Sequence, residues 1–486
     1  MAEAAAPGLE PAAAPGLEPT VAAHAPPFGK AYTSYVMWLL LGVYIVNFLD
    51  RQVLNILVED IKLELRLTDT QMGLMGGLAF AIFYTVLGIP IARLAERRNR
   101  AAIIGASVTV WSGMTALCAT AGNFWQLILY RIGVGVGEAG CTPPAHSLIV
   151  DYVPKEKRAS ALAFYSMGTP IGGLLGLILG GLVADAYGWR AAFLVAGLPG
   201  LAFALLAFLT LKEPRARLAR HAAQVQAATA TFAETLRFLA GKPTFWFIAF
   251  AAAIKAFIGY GHAPFTASFF FRNHTAEVAR LAEVFGDLLG FNLQSRGFVG
   301  LALGILAGTA GTAGALLGGV IADRFGRKDL RAYMVTPAVA SLLTIPVYIA
   351  AVTVPSALAA FGLLAVNALL GTLWYGPVYA TGQSVAPPHM RATAAAILLF
   401  IINLIGLGLG PLAVGALSDF MANTALAAQG LDVHACKTAA GAAKAVCAAE
   451  VGDGVRWALI FSTLVGLVAF ACFWIARRTI REDTVS

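Results

Sequence analysis

The chain has 486 residues, of which 59% are hydrophobic and 12% charged, about half the roughly 25% charged share of a soluble globular domain. That balance and a mean hydropathy of +0.75 exclude a water-soluble fold. A formal net charge of +8 would suggest a nucleic-acid partner in a soluble protein, but here the charge follows membrane topology, and no nucleic-acid partner is expected.

The first residues carry AAAPGLEP twice in tandem, at Ala4 to Pro11 and Ala12 to Pro19. They have neither a basic leader nor an apolar core, so they read as a disordered tail and not as a signal peptide. A bilayer-spanning helix takes about 20 apolar residues. Uncharged runs of that kind fall near 35–57, 70–92, 101–121, 124–152, 159–184, 191–211, 244–271, 296–322, 332–353, 357–386, 393–418 and 455–476, which makes twelve spans. The short alternating segments of a closed β-barrel are absent. The expected layout is a tail (1–33), a six-helix half (34–211), a linker (212–243), a second half (244–476) and a short tail (477–486). Sorting Lys and Arg by side puts 22 with the termini and the linker, 9 opposite, and three inside spans. The positive-inside rule then makes both termini cytoplasmic in an inner-membrane protein.

Span one holds the first buried charges, Asp50 and Arg51. A charge at mid-helix costs roughly 2.5 to 3.5 kcal/mol on insertion scales, a cost retained where it has a use. Asn47, Arg51 and Asn55 are four apart, with Asp50 three beyond Asn47, so a polar stripe is expected to face a central cavity. In span four, Arg131 and Glu138 are seven apart, about 20° short of two turns, and point the same way. Two acids and two guanidiniums can therefore converge between spans one and four. As a proton switch, Asp50 would bind and release the proton while Arg131 or Arg51 stabilises its ionised form, with Glu138 competing for the same arginines. A static ion-pair cluster that fixes helix packing is the alternative.

Other polar positions follow along the chain. Glu96, Arg97 and Arg100 after span two are answered by Asp323, Arg324 and Arg327 after span eight. They are expected to lock the cytoplasmic side when the opposite side is open. Lys255 and His262 in span seven are seven apart; a buried Lys could meet a phosphate, with snorkelling or a structural hydrogen bond as the alternative. Trp374 and Tyr375 in span ten are candidates for the cavity lining, with packing or an interfacial belt as the alternative. Cys118, Cys141 and Cys472 lie in apolar spans as packing residues. Cys436 and Cys447 share the polar loop between spans eleven and twelve, where an oxidising compartment would join them.

The two halves repeat. Arg158 and Arg391 follow matching Pro-led turns, and Pro144 and Pro377 keep the same offset as those two arginines. Gly181-x-x-x-Asp185 and Gly415-x-x-x-Asp419 echo the Gly319-x-x-x-Asp323 loop, so each half reads as two three-helix units of opposite topology. Gly at these places permits close helix approach, and the acid can bond the end of a neighbouring helix.

With these motifs in hand the sequence resembles the major facilitator superfamily, whose cytoplasmic loop signature the Asp323 turn fits; at Glu96 the turn departs from it, with Ala92 and Asn99 in place of Gly. Within it, Asn47-Phe48-Leu49-Asp50-Arg51, Arg131-x-x-x-Gly135-x-Gly137-Glu138-Ala139 and Pro144-x6-Asp151 resemble the Spinster family of the bacterial type. The resemblance implies an all-α fold of twelve transmembrane helices in two pseudo-symmetric halves, and proton-linked transport of lysolipids or sphingoid phosphates. It also implies functional roles for the span-one acid and the span-four Arg and Glu.

A secondary transporter of an amphipathic anion or lipid, coupled to protons and acting as a monomer, is the reading that follows; drug or organic-anion export is the alternative. A membrane enzyme would need a nucleophile with its base or a metal cluster, and neither pattern occurs. No metal, cofactor or phosphate-loop nucleotide is expected.

Overall fold

The computed structural model describes residues 28–154, 157–214, 231–432, 436 and 440–485. The tandem repeat and half of the 212–243 connection, residues 215–230, lie outside them.

Ten helical runs are long and apolar enough to cross a membrane, and the chain makes twelve crossings. Two features account for the difference. Span four is broken into Phe124–Glu138 and Thr142–Tyr152, because Pro143 and Pro144 at the start of the second piece have no N–H to continue the ladder. Spans five and six read as one helix, Gly168–Thr210, bent at Gly188, whose φ of 81° only glycine adopts without strain. The first span, Lys30–Leu65, begins five residues before its hydropathy edge. The remaining spans are Asp69–Arg97, Arg100–Cys118, Pro243–Asn273, Ser295–Gly326, Ala332–Thr353, Ala357–Ser384, Arg391–Ala427 and Gly441–Asp483.

Burial divides the bundle. One core is shared by both halves and includes Val53 and Leu57 of span one, Leu177 of span five, Phe265 of span seven, Phe298 of span eight and Phe361 of span ten. Two further cores serve one half each. Trp111, Leu148 and Tyr152 anchor the first, which among the described residues draws only Leu407 and Tyr260 from the other half; Phe245, Met334 and Phe473 anchor the second. The shared core lies toward the face opposite the termini, here called the far face, and the separate cores lie toward the terminal face. The halves are thus clasped at one end.

The clasp uses glycine. A Cβ on Gly73 of span two would lie 2.1 Å from the carbonyl oxygen of Pro411 in span eleven, and one on Gly300 of span eight 2.3 Å from that of Leu177 in span five. Gly73 and Gly300 stand at the same offset that relates Glu96 to Asp323. Lipid offers apolar helices no hydrophobic reason to associate, so this backbone-to-backbone approach supplies the dispersion contacts that hold the halves together.

Candidate functional site

Spans one and four meet where the sequence places their charges. Gly135 and Gly137 let span four sit against the backbones of Phe80 and Trp111, with hypothetical Cβ distances of 2.6 and 2.5 Å. This close seating brings Glu138 beside span one. Arg51 Nε donates to Glu138 Oε2 at 2.6 Å, and its Nη2 lies 2.5 Å from the same oxygen. The guanidinium also lies 4.6 Å from the Tyr84 ring centre and 4.9 Å from that of Phe80, a cage that replaces hydration with ring quadrupoles. Asn47 adjoins Glu138.

Asp50 is fully buried and turns to span three, where Thr115 Oγ1 donates to its Oδ2 at 2.8 Å. Among the described residues its other oxygen has no hydrogen-bond partner, and neither do Nε and Nη1 of Arg131. Glu138, Arg131 and Arg51 are the charges that act on it. The expected single stripe is therefore divided. Arg51 and Asn55 line a 60 Å³ cavity with Gln52 and Arg131, and Asp50 does not. Successive helical residues are rotated by about 100°, which takes Asp50 off the face that Arg51 presents.

Lys255 and His262 come together in a cavity of 330 Å³, mostly within the C-terminal half. Lys255 Nζ reaches Thr344 Oγ1 at 3.4 Å, and His262 Nε2 pairs with Ser462 Oγ at 2.9 Å. Trp374 does not line that cavity; it is 3% exposed within the core of the C-terminal half, while its neighbour Tyr375 is exposed. Tyr375 stacks on it at 4.2 Å. Tyr375 joins a group of tyrosines from both halves, of which the sequence singled out only that one: it neighbours Tyr260 and Tyr379, Tyr260 neighbours Arg51 and Tyr84, and Tyr379 neighbours Tyr44 and Tyr260.

A second polar network, at the far face, was only partly visible in the sequence. Arg272 at the end of span seven donates to both oxygens of Asp69 at 2.7 Å and to Glu59 at 2.5 and 3.0 Å. Asp69 also accepts from Lys62 and Ser418, each at 2.7 Å. Arg296 pairs with Asp60 at 2.5 Å. Asp419 accepts from the amides of Asp69 and Thr70 at 3.1 and 2.8 Å, and Asp185 accepts from those of Arg296 and Gly297 at 3.3 and 2.6 Å. The fifth span of each half thereby caps the second span of the other with a carboxylate, as a helix N-terminus favours. The Gly-x-x-x-Asp echo marked these two acids. Nothing marked Arg272, which lies in the last turn of span seven.

The terminal-face residues bond within their own halves. Arg100 is buried and pairs with Glu213 at 2.5 Å and Asp151 at 2.6 Å, so it is an anchor inside the first half. Asp323 accepts from Tyr333 at 2.6 Å. Glu96, Arg97, Arg324 and Arg327 are exposed. Arg158 and Arg391 each donate to a carbonyl of the preceding helix end, Val150 at 3.1 Å and Ala386 at 3.2 Å. Cys436 and Cys447 are joined, with Cα atoms 5.5 Å apart.

Two pseudo-symmetric helical halves, clasped at one face and carrying buried ionisable groups between them, define a membrane carrier. The sequence profile of the Major Facilitator Superfamily matches residues 40–411, and the chain belongs to that family. It is 30% identical over 462 residues to an MFS-type efflux pump of Mycolicibacterium smegmatis, across 95% of this chain and 96% of the relative. It is 27% identical over 399 residues to protein spinster homolog 1 of Xenopus tropicalis, across 80% and 74%. A solved bacterial homologue of the human lysosomal transporter spinster, inward-facing and unoccupied, superposes with a TM-score of 0.81 at 31% identity, across 94% of this chain and all of that one. The chain is homologous to the Spinster proteins, and transporters, not enzymes, are its relatives.

Proposed function

We propose that this protein is a proton-coupled secondary transporter that moves an amphipathic anion, such as a lysolipid or a sphingoid phosphate, by alternating access across the inner membrane. Both termini are cytoplasmic on this reading, since 22 of the 34 Lys and Arg residues fall on that side. The clasped far face then makes the state described here inward-open.

The observation that carries the coupling is Asp50. It is wholly buried, held by one hydroxyl, and close to Arg131 and to the Arg51–Glu138 bridge. A carboxyl so placed is balanced between the desolvation that favours its neutral form and the guanidiniums that favour its ionised form. Ionised, it draws Arg131; protonated, it releases that guanidinium to Glu138, and the two arrangements favour different relative positions of spans one, three and four. Asp323, Arg324 and Arg327, with Glu96 and Arg97, close the cytoplasmic side in the opposite state, while Arg100 holds the end of span three in place.

The test is proton-gradient-driven uptake into proteoliposomes of purified protein, screened with lysolipids, sphingosine phosphate and hydrophobic cations. Asp50→Asn should abolish uptake while leaving the protein monodisperse, and wild-type rates in that variant would refute the assignment. The similarity to an efflux pump supports a second reading, export of drugs or organic anions, and activity on cations alone would favour it.

A further inference from the structure

We propose that the 330 Å³ cavity of the C-terminal half seats the anionic head of the transported molecule, with Lys255 as its counter-charge. The proposal deepens the transport reading above and rests on it.

Three cations lie inside spans, Arg51, Arg131 and Lys255. Arg51 is committed to Glu138 at 2.5 Å, and Arg131 lies beside Asp50 and Glu138. Lys255 is different. It is 7% exposed, its one hydrogen-bond partner among the described residues is the Thr344 hydroxyl at 3.4 Å, and none of the ion pairs among those residues includes it. An ammonium inside a span without a carboxylate is a costly arrangement. It is relieved when a mobile anion completes the pair, so the missing partner is the cargo.

The cavity wall has the polarity such a cargo needs. Lys255, Thr344, His262 and Asn367 supply its polar lining, while Leu177, Leu303, Leu306 and Leu364 supply an apolar one. Span eight enters a π-helical stretch, Ala307–Gly311, at this wall, the kind of irregularity that recurs at functional sites. The volume is near the small end of ligand pockets, about 300 to 1,000 Å³, so it takes a head and the first carbons of a chain. A lysine reads charge without the paired-oxygen geometry that an arginine fork selects, which fits a carboxylate or a phosphate ester equally. Gln52 and Leu177 of the first half complete the lining. Both halves therefore touch the occupant, and its presence biases their relative position.

The test is equilibrium binding of radiolabelled dodecyl phosphate to the purified full-length protein, without any gradient, competed by dodecanoate, dodecanol, dodecyltrimethylammonium, a lysophospholipid and hexanoate. In the wild type the long-chain anions should compete at least tenfold more strongly than the alcohol and the cation. Lys255→Gln, which removes the charge and keeps a polar side chain, should lose that preference, and Lys255→Arg should keep it. Competition by the lysophospholipid and not by hexanoate assigns a lipid cargo; the reverse assigns a free organic acid. Unchanged anion preference in Lys255→Gln, or equal competition by alcohol and anion in the wild type, overturns the proposal. A Lys255-dependent preference without gradient-driven uptake would sink the transport reading and leave the seat standing.

Discussion

Arg272 grips Asp69 across the two halves with two guanidinium nitrogens, each 2.7 Å from a carboxylate oxygen. The two side chains are 7% and 1% exposed, so little water competes for them. Removing one partner of such a buried pair costs about 3–5 kcal/mol, and a shift of about 5.5 kcal/mol is enough to carry a two-state equilibrium from one extreme to the other.

Arg272→Met should therefore depopulate the state with a clasped far face. Spin labels on Arg93 and Lys328, both exposed at the terminal face, should move closer in that variant. Asp323→Asn, which weakens the proposed lock on the same face, should leave the label distance long. A distance distribution unaffected by Arg272→Met would show that the bridge does not set the conformational balance.

Glycine packing makes a second, steric prediction. In Gly73→Ala the new methyl would overlap the Pro411 carbonyl oxygen at 2.1 Å, a backbone atom that no rotamer change can move. Overpacking of this kind costs roughly 1–3 kcal/mol, and thermal unfolding in detergent should fall accordingly. Gly88→Ala, on the same span with no atom within 4 Å, is the control and should unfold like the wild type. Equal midpoints for all three proteins would show that the helices can separate freely at this point.

Glu277, in the surface helix Thr275–Leu289, supports the start of span ten. The Ala357 amide, together with the Ser356 hydroxyl, holds its carboxyl below the usual range, at distances of 2.7 and 2.9 Å. A depressed folded value means that the stabilisation is present above the unfolded pKa of about 4.3 and is lost as pH falls through the folded value. Glu277→Ala should lower stability by about 1 kcal/mol at neutral pH, the usual worth of a cap. The gap to wild type should close in acid, and a gap that persists at pH 3 would point to packing instead.

The Cys436–Cys447 link closes a local loop of separation 11, worth about 2–4 kcal/mol by loop entropy but confined to the far-face hairpin. Maleimide should label these two thiols only after reduction, and the double Ser variant should melt lower while transporting at the wild-type rate. Labelling of both without reductant would contradict the link.

Hydropathy made the bundle legible, since span count depends only on composition over about 20 residues. The Arg131–Glu138 spacing also made one convergence legible, because a seven-residue interval fixes a shared helix face whatever the surroundings. Asp50 was legible as a buried charge but not in its direction. Its neighbour Thr115 lies 65 residues away, and no local pattern in span one says which flank of the helix that span will cover. Trp374 entered the packing and not the cavity lining for the same reason, its ring lying in a core built from spans seven, nine, ten, eleven and twelve.

By itself the sequence determined the twelve crossings, the repeat of the halves and the residue types placed inside the membrane, because each is written within one helix or in the offset between two. Only the tertiary structure decided which face is clasped, that Arg272 meets Asp69, and that Lys255 meets no acid among the described residues. Those are relations between helices far apart in the chain, set by which backbones glycine lets approach, and a one-dimensional pattern carries no record of them.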